Sequence, residues 1–467
     1  MNSRLLSQFF LGFVLLNAFC CKTGEDVTAT SKRNSSFAKQ ARYFTWNEHR
    51  NELSQDGTQQ VGLAVYDETN VKYRRNDSLL MRVHIGKPIK VFEAKEDHGW
   101  GFVQFPRIQR VENGEIAVRW NLTKDEYSSH PKYGWKYSND NGKTWRFNWK
   151  NRPSSPGIEI PNGDKIYIYR KKIPENKVNG LSNIPYLIND FSGRYSSYKF
   201  YAKRDLPNAL TGFYLTRLKS GASEYASEFS PIENDSNGIV TLQEGTFNIK
   251  GWGDMRVAKD NSIVKMVYGA FQQTRSGRIS LKSPSFYRST TNGDTWEFIG
   301  KVPFLKDDFV NNGDGQIPVG LDEAAFEILD SGKYVCVMRS SNGANTTPMY
   351  ISFSNDYGKT WSRPKPFTNN GVLPQLQQLE NKVLVLSSGR DGVQLRFNIE
   401  GDGITWSDPF EIVRHKGISG QVSCGYTGIL QTGENRFLLV YSDFKNKNAQ
   451  GDIRKAIVVR EIIVEKL

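Results

Sequence analysis

The chain has 467 residues, 38% hydrophobic and 12% aromatic, with 62 Lys and Arg against 49 Asp and Glu for a formal net charge of +13. This composition excludes a disordered chain and supplies core for one large or two medium domains. The positive excess favours an anionic partner, yet no dense Lys/Arg run marks a nucleic-acid surface, and five His without a metal-spaced His/Cys cluster argue against a metal, so no cofactor is expected.

At the N-terminus, Arg4 precedes an apolar stretch from Phe9 to Leu16 and then small or polar residues. That is the shape of a secretory signal over residues 1–21, too short for a comfortable membrane span. Cys20 and Cys21 stand where a bacterial lipoprotein would be cleaved and acylated, although Phe19 or Cys20 would then fill the small position before the cut. Simple cleavage and a lipid anchor to the membrane are both open, and either sends the chain to the periplasm, the cell surface or the medium. Residues 22–95 begin as a polar tether, TSKRNSSFAKQ, and a later run such as GLAVYD could supply a strand that closes a ring.

From residue 96 onward the chain alternates short β-rich runs with Gly, Asp and Asn turns: GEIAVRWN, KIYIYRKK, SIVKMVYGAF, KYVCVMRS, KVLVLSSG and RFLLVYSDF. Helical periodicity is scarce. One octapeptide is written twice, SNDNGKTW at Ser138 to Trp145 and SNDYGKTW at Ser354 to Trp361, with weaker copies STTNGDTW ending at Trp296 and IEGDGITW ending at Trp406. In the full box the Asp can accept backbone N–H bonds inside a tight turn, the Gly takes a conformation costly for other residues, and the Trp wedges between sheets. These are the needs of a hairpin, so the repeat describes how the chain folds and the chemistry lies elsewhere.

Repeats of 45 to 65 residues, each of about four strands, predict an all-β fold: a six-bladed β-propeller of four-stranded antiparallel blades, with seven blades the alternative. The blades fall at 100–147, 150–235, 240–300, 315–363, 370–408 and 420–467, the second without a box. Cys336 and Cys424 lie in apolar, strand-like runs and read as two buried free thiols or one disulfide.

The boxes resemble the Asp-boxes of the sialidase superfamily, and the likeness extends over residues 100–467. DEAAFEILDSGKYVCVMR, Asp322 to Arg339, is similar to the sialidase hairpin in which a Glu is followed sixteen residues later by an Arg; Glu323 and Arg339 are so spaced, and a hairpin of that length brings its ends together. SCGYTGILQTGENRFLLVYSD resembles the segment carrying the sialidase nucleophile, with Tyr426 the matching Tyr. SSGRDGVQLRFN resembles the segment of a second arginine, matched by Arg390, with Arg396 the competitor.

The first blade departs from the family. Where sialidases carry FRIP, whose Arg completes a triad on the substrate carboxylate, this chain has VQFP, Val103 to Pro106, so Gln104 stands in the place of the Arg. Arg107 is near, but an odd offset along a strand should turn it to the opposite face. The family's general acid lies on the following loop, here NLTKDEYSSHPKYG, where Asp125 is the match and Glu126 and His130 are competitors.

The resemblance implies a retaining exo-glycosidase acting on an acidic glycan, a sialoside first. Tyr426 would be its nucleophile, Glu323 the group taking the phenol proton, Asp125 the acid, and Arg339 and Arg390 the carboxylate binders. Gln104 leaves open another propeller hydrolase or lyase of acidic polysaccharides, or a non-catalytic glycan-binding propeller.

Overall fold

The computed structural model describes residues 49–53, 68–75, 78–125, 132–147, 157–188, 197–308, 319–340, 348–368, 370–390, 392–415 and 420–467. The signal segment with Cys20 and Cys21, the GLAVYD run, Glu126 and His130 lie outside these residues. Within them the chain is all-β apart from short 3-10 turns, and its strands form six hydrogen-bonded sheets in a propeller arrangement.

Five of the sheets, not the six or seven expected, have the four or more strands of a full blade. Among the described residues the first sheet has three, Gln104–Arg110, Ile116–Asn121 and Tyr133–Ser138, with a bridge from Tyr137 to Arg146 at its outer edge. The second is built from 158–159, 165–169, 213–218 and 226–230, and the fourth and fifth span 321–366 and 372–413. Beside the third, a subsheet of Lys171–Pro174, Lys199–Ala202, Gly238–Gln243 and Thr246–Ile249 is joined through Gly238↔Gln272 and Ile239↔Phe271.

The last sheet closes the ring. Its long strand Ile453–Lys466 pairs with Arg436–Lys447 on one side and with Ile89–Glu93 and Ser78–Ile85 on the other, so segments from both ends of the chain share one ladder. Thr69–Arg75 and His49–Leu53 extend that sheet outward.

Burial follows the junctions between sheets. Val91, Val103, Val118, Leu438 and Val459 pack the last sheet on the first. Similar clusters join the second to the third, the third to the fourth, the fourth to the fifth and the fifth to the last. The first-to-second junction is bridged by polar contacts, from the Lys165 ammonium to the Arg110 carbonyl at 3.5 Å and from the Tyr225 hydroxyl to Glu112. A channel of about 1040 Å³ runs along the inner strands of the sheets.

The octapeptide boxes do the turn-making that their residues call for. In the first, the Asp140 carboxylate accepts from the Ser138 hydroxyl at 2.7 Å, the Thr144 amide at 2.9 Å and the Thr144 hydroxyl at 2.6 Å, while the Trp145 indole N–H donates to the Gly142 carbonyl at 3.0 Å. The box at 354–361 repeats this pattern, and its Trp361 ring stacks on Phe286 of the preceding sheet at 4.3 Å. In the weakest copy Asn398 takes the Ser role, accepting from the Gly403 amide at 3.0 Å and donating to the shifted Asp402 at 2.8 Å. Cys336 and Cys424 are both free and buried.

Candidate active site

Tyr426 ends the turn that leads into the strand Thr427–Gly433 of the last sheet. The preceding Gly425 has φ +78, and a Cβ there would lie 2.4 Å from the Arg390 amide nitrogen. The glycine thus lets the backbone before Tyr426 press against the backbone of Arg390, which brings two segments of neighbouring sheets into contact. Arg390 itself is left-handed, at φ +54.

Glu323 and Arg339 come from the paired strands Leu321–Ile328 and Tyr334–Ser340 of the fourth sheet. A bulge between Asp322 and Ala324 leaves Glu323 outside the regular ladder. Its carboxylate accepts from the Tyr426 hydroxyl, from Arg339 at 2.9 Å and from the Leu373 amide at 3.1 Å. Burial, reinforced by the Glu323 charge, pushes the Tyr426 phenol well above its ordinary range, so it is neutral at rest. Arg339 is raised, because Glu323 outweighs the effect of its burial.

Arg390 is in the same electrostatic neighbourhood. Burial, with the like charge of Arg339 beside it, lowers its guanidinium from the usual arginine value, while Tyr426 and Glu323 act the other way. It lies 5.7 Å from the centre of the Trp100 ring, and its buried Nε has no hydrogen-bond partner. The Trp100 indole N–H donates to Asp125 at 3.3 Å, which fixes that carboxylate near the same mouth.

The first blade corrects one expectation. Gln104 is fully buried, with neither side-chain polar atom hydrogen-bonded among the described residues, and does not line the cavity. Val103 and Phe105 both have φ +53, and a register shift between Gln104 and Arg107 inserts an extra residue into the strand. Burial still alternates across it, with Gln104 and Pro106 buried and Phe105 and Arg107 partly exposed, so Arg107 does face away from Gln104, and that opposite face is the one that meets the cavity. Phe105, its ring 4.9 Å from that of Tyr426, and Arg107 therefore line the cavity, and Arg107 makes no hydrogen bond or ion pair among the described residues.

That cavity, of about 620 Å³, is walled by Phe105, Arg107, Arg119, Asp125, Asp322 and Tyr426 from the first, fourth and last sheets, and by basic residues of the second and third. Asp322, adjacent in sequence to Glu323, donates nothing as an acid. Burial works against its charge, but Lys282 at 2.7 Å and Lys250 more than offset it and hold the carboxyl below its ordinary value. Asp125 is the remaining wall carboxylate. Arg396 is partly buried and donates to the Ser407 carbonyl at 3.2 Å, away from Tyr426. The structure thus places Tyr426, Asp125 and Arg107 on one cavity wall, with Glu323 and Arg339 bonded behind Tyr426 and Arg390 in their electrostatic neighbourhood, and leaves Gln104 out. Sequence reading missed Trp100, Phe105, Lys250 and Lys282; only the DE pair at 322–323 gave a local signal for any wall residue it overlooked.

No family model matches the sequence, and no curated protein matches it. Among solved structures, a protein of unknown function from Dyadobacter fermentans is similar at 18% identity and a TM-score of 0.51, covering 81% of this chain and 99% of that one. A Trypanosoma rangeli sialidase is similar at 16% identity and a TM-score of 0.42, with 84% of this chain matched to 59% of that one. A Penicillium chrysogenum α-L-arabinanase gives 14% identity and a TM-score of 0.41 over 80% and 97% of the two chains. At such identities the likeness concerns the fold. With its sheet arrangement, the chain is an all-β propeller.

Proposed function

We propose that the protein is an exported retaining exo-glycosidase acting on an acidic sugar of glycans, a sialoside foremost. The observation that carries this reading is the hydrogen-bonded chain from the Tyr426 hydroxyl through Glu323 to Arg339, assembled from two sheets.

A carboxylate nucleophile would be repelled by an acidic substrate, whereas a neutral phenol is not, and sialidases depart in this way from the paired carboxylates of most glycosidases. The Tyr426 oxygen attacks the anomeric carbon as its proton passes to Glu323. Asp125 gives a proton to the departing glycosidic oxygen. Water then attacks the tyrosyl glycoside with Asp125 as base, and Glu323 returns the proton to the phenolate. Arg107, Arg339 and Arg390 hold the sugar carboxylate by charge-assisted bonds.

Replacing Tyr426 by Phe should lower kcat on an aryl sialoside by about a thousandfold, with an unchanged melting profile. Full turnover by that variant would refute the mechanism. Release of an unsaturated product absorbing in the ultraviolet would assign the same residues to a lyase instead, and binding without any product would leave a glycan-binding propeller.

A further inference from the structure

The side of the cavity away from Tyr426 is built by different elements. Arg170 and Lys172 come from the edge of the subsheet beside the third sheet, Lys250 from just beyond its strand Thr246–Ile249, and Lys282 from the turn before Ser283–Ser289. The ammonium groups of Lys250 and Lys282 lie 5.1 Å and 5.8 Å from the centre of the Phe271 ring. Arg170 sits 4.7 Å over Trp252 and donates to Asn248. Asp322 is the carboxylate in this part of the wall, bound to Lys282 at 2.7 Å.

Asp322 on Lys282 and Glu244 near Lys172 are the carboxylates these cations meet, and like charges gathered on one wall favour an anion bound between them. Lys250 records this. Burial lowers its ammonium to about 7, and the charges of Lys282 and Arg170 act in the same direction against Asp322. Its amine donates to the Gly269 carbonyl, whose residue has φ +66 at a bulge and would carry a Cβ 2.6 Å from Asp322. The bulge holds Lys250 and Asp322 close together at one rim of the cavity.

We propose that Arg170, Lys172, Lys250 and Lys282 form a second anion subsite, which receives a sulfate or carboxylate group on the sugar next to the one cleaved. The inference rests on the glycosidase reading for the cleaved sugar and extends it to polyanionic glycans. Phe271 and Trp252 give the neighbouring ring an apolar floor, and Asn248 gives it a polar contact.

Equilibrium binding by calorimetry tests this without turnover. The probes are a chondroitin sulfate hexasaccharide, its unsulfated counterpart bearing carboxylates only, and neutral maltohexaose. Wild type should bind the sulfated probe at least about tenfold more tightly than maltohexaose, with affinity falling as salt rises. A Lys172→Ala and Lys250→Met double variant should lose about tenfold on the charged probes and nothing on maltohexaose. Lys172 is exposed, so Lys172→Ala alone serves if the double variant melts early. A loss confined to the sulfated probe identifies sulfate as the occupant, and an equal loss on both identifies carboxylate. Wild-type failure to separate charged from neutral probes, or wild-type affinity in both variants, would overturn the subsite. Turnover surviving in Tyr426→Phe while the double variant loses affinity would refute the glycosidase mechanism and leave the subsite standing.

Discussion

The phenol of Tyr426 stays protonated until attack because burial and the Glu323 charge both oppose its ionisation, and the same Glu323 is the acceptor already in hydrogen-bond contact. The contact of Glu323 with Arg339 was legible in the sequence because a hairpin fixes the distance between its own ends, whereas Tyr426 was legible only through its segment's resemblance to that of a sialidase nucleophile. Arg107 was not, since nothing in VQFPRI announces that Gln104 will turn into the core and leave the opposite face, with Phe105 and Arg107, on the cavity. Two variants separate the roles of the neighbours. Arg107→Met should raise KM for an acidic aryl glycoside by about 10- to 100-fold with little change in kcat, as expected when a charge-assisted contact to the substrate carboxylate is removed. Gln104→Leu should do neither. Gln104 buries two polar atoms without partners, so an apolar side chain of similar size should raise stability by about 1–3 kcal/mol in urea unfolding, while Michaelis constants stay at wild-type values.

Each full box is a hairpin held by one carboxylate, which explains why the element was readable from eight residues and why its degenerate copies still fold. Asn398 can replace the Ser because its amide accepts from the Gly403 amide and donates to Asp402, whereas in the 289–296 copy Thr291 supplies a hydroxyl for the Thr295 amide at 2.9 Å. Burial opposes the Asp140 charge, but the Thr144 side chain and amide and the Ser138 hydroxyl outweigh it and bring the carboxyl down to about 2. A carboxyl depressed in the folded state contributes stability that is fully present above its unfolded value near 3.8 and is lost as pH falls through about 2. Asp356 is lowered for the same reasons. Asp140→Asn should therefore reduce the melting temperature at pH 7 and flatten its fall between about pH 4 and 2, followed by circular dichroism. An unchanged acid limb would mean that these carboxylates do not hold their turns. The first blade shows what local reading could not supply: among the described residues its outer edge is the bridge between Tyr137 and Arg146, which no box predicts.

At the level of the whole molecule, the candidate site straddles the seam where the ring closes. Phe105, Arg107 and Asp125 belong to the first sheet and its following loop, Tyr426 to the last, and the two are held together by the cluster of Val91, Val103, Val118, Leu438 and Val459. Strand Ile89–Glu93 is the fastener: it hydrogen-bonds to Ile453–Lys466 and inserts Val91, 1% exposed, into that cluster. Composition pointed to an N-terminal strand closing the ring, but the choice among candidate runs depends on pairing over more than 350 residues, which no local pattern encodes. Val91→Asp places an unpaired carboxylate in an apolar junction and should cost roughly 3 kcal/mol or more. Because the junction also sets the separation of Phe105 and Tyr426, activity and the seam should fail together. Residual turnover of the variant, measured against temperature, should fall in step with loss of tertiary circular dichroism. Activity that outlasts the tertiary signal would show that Tyr426 and its partners hold their geometry without the closed ring.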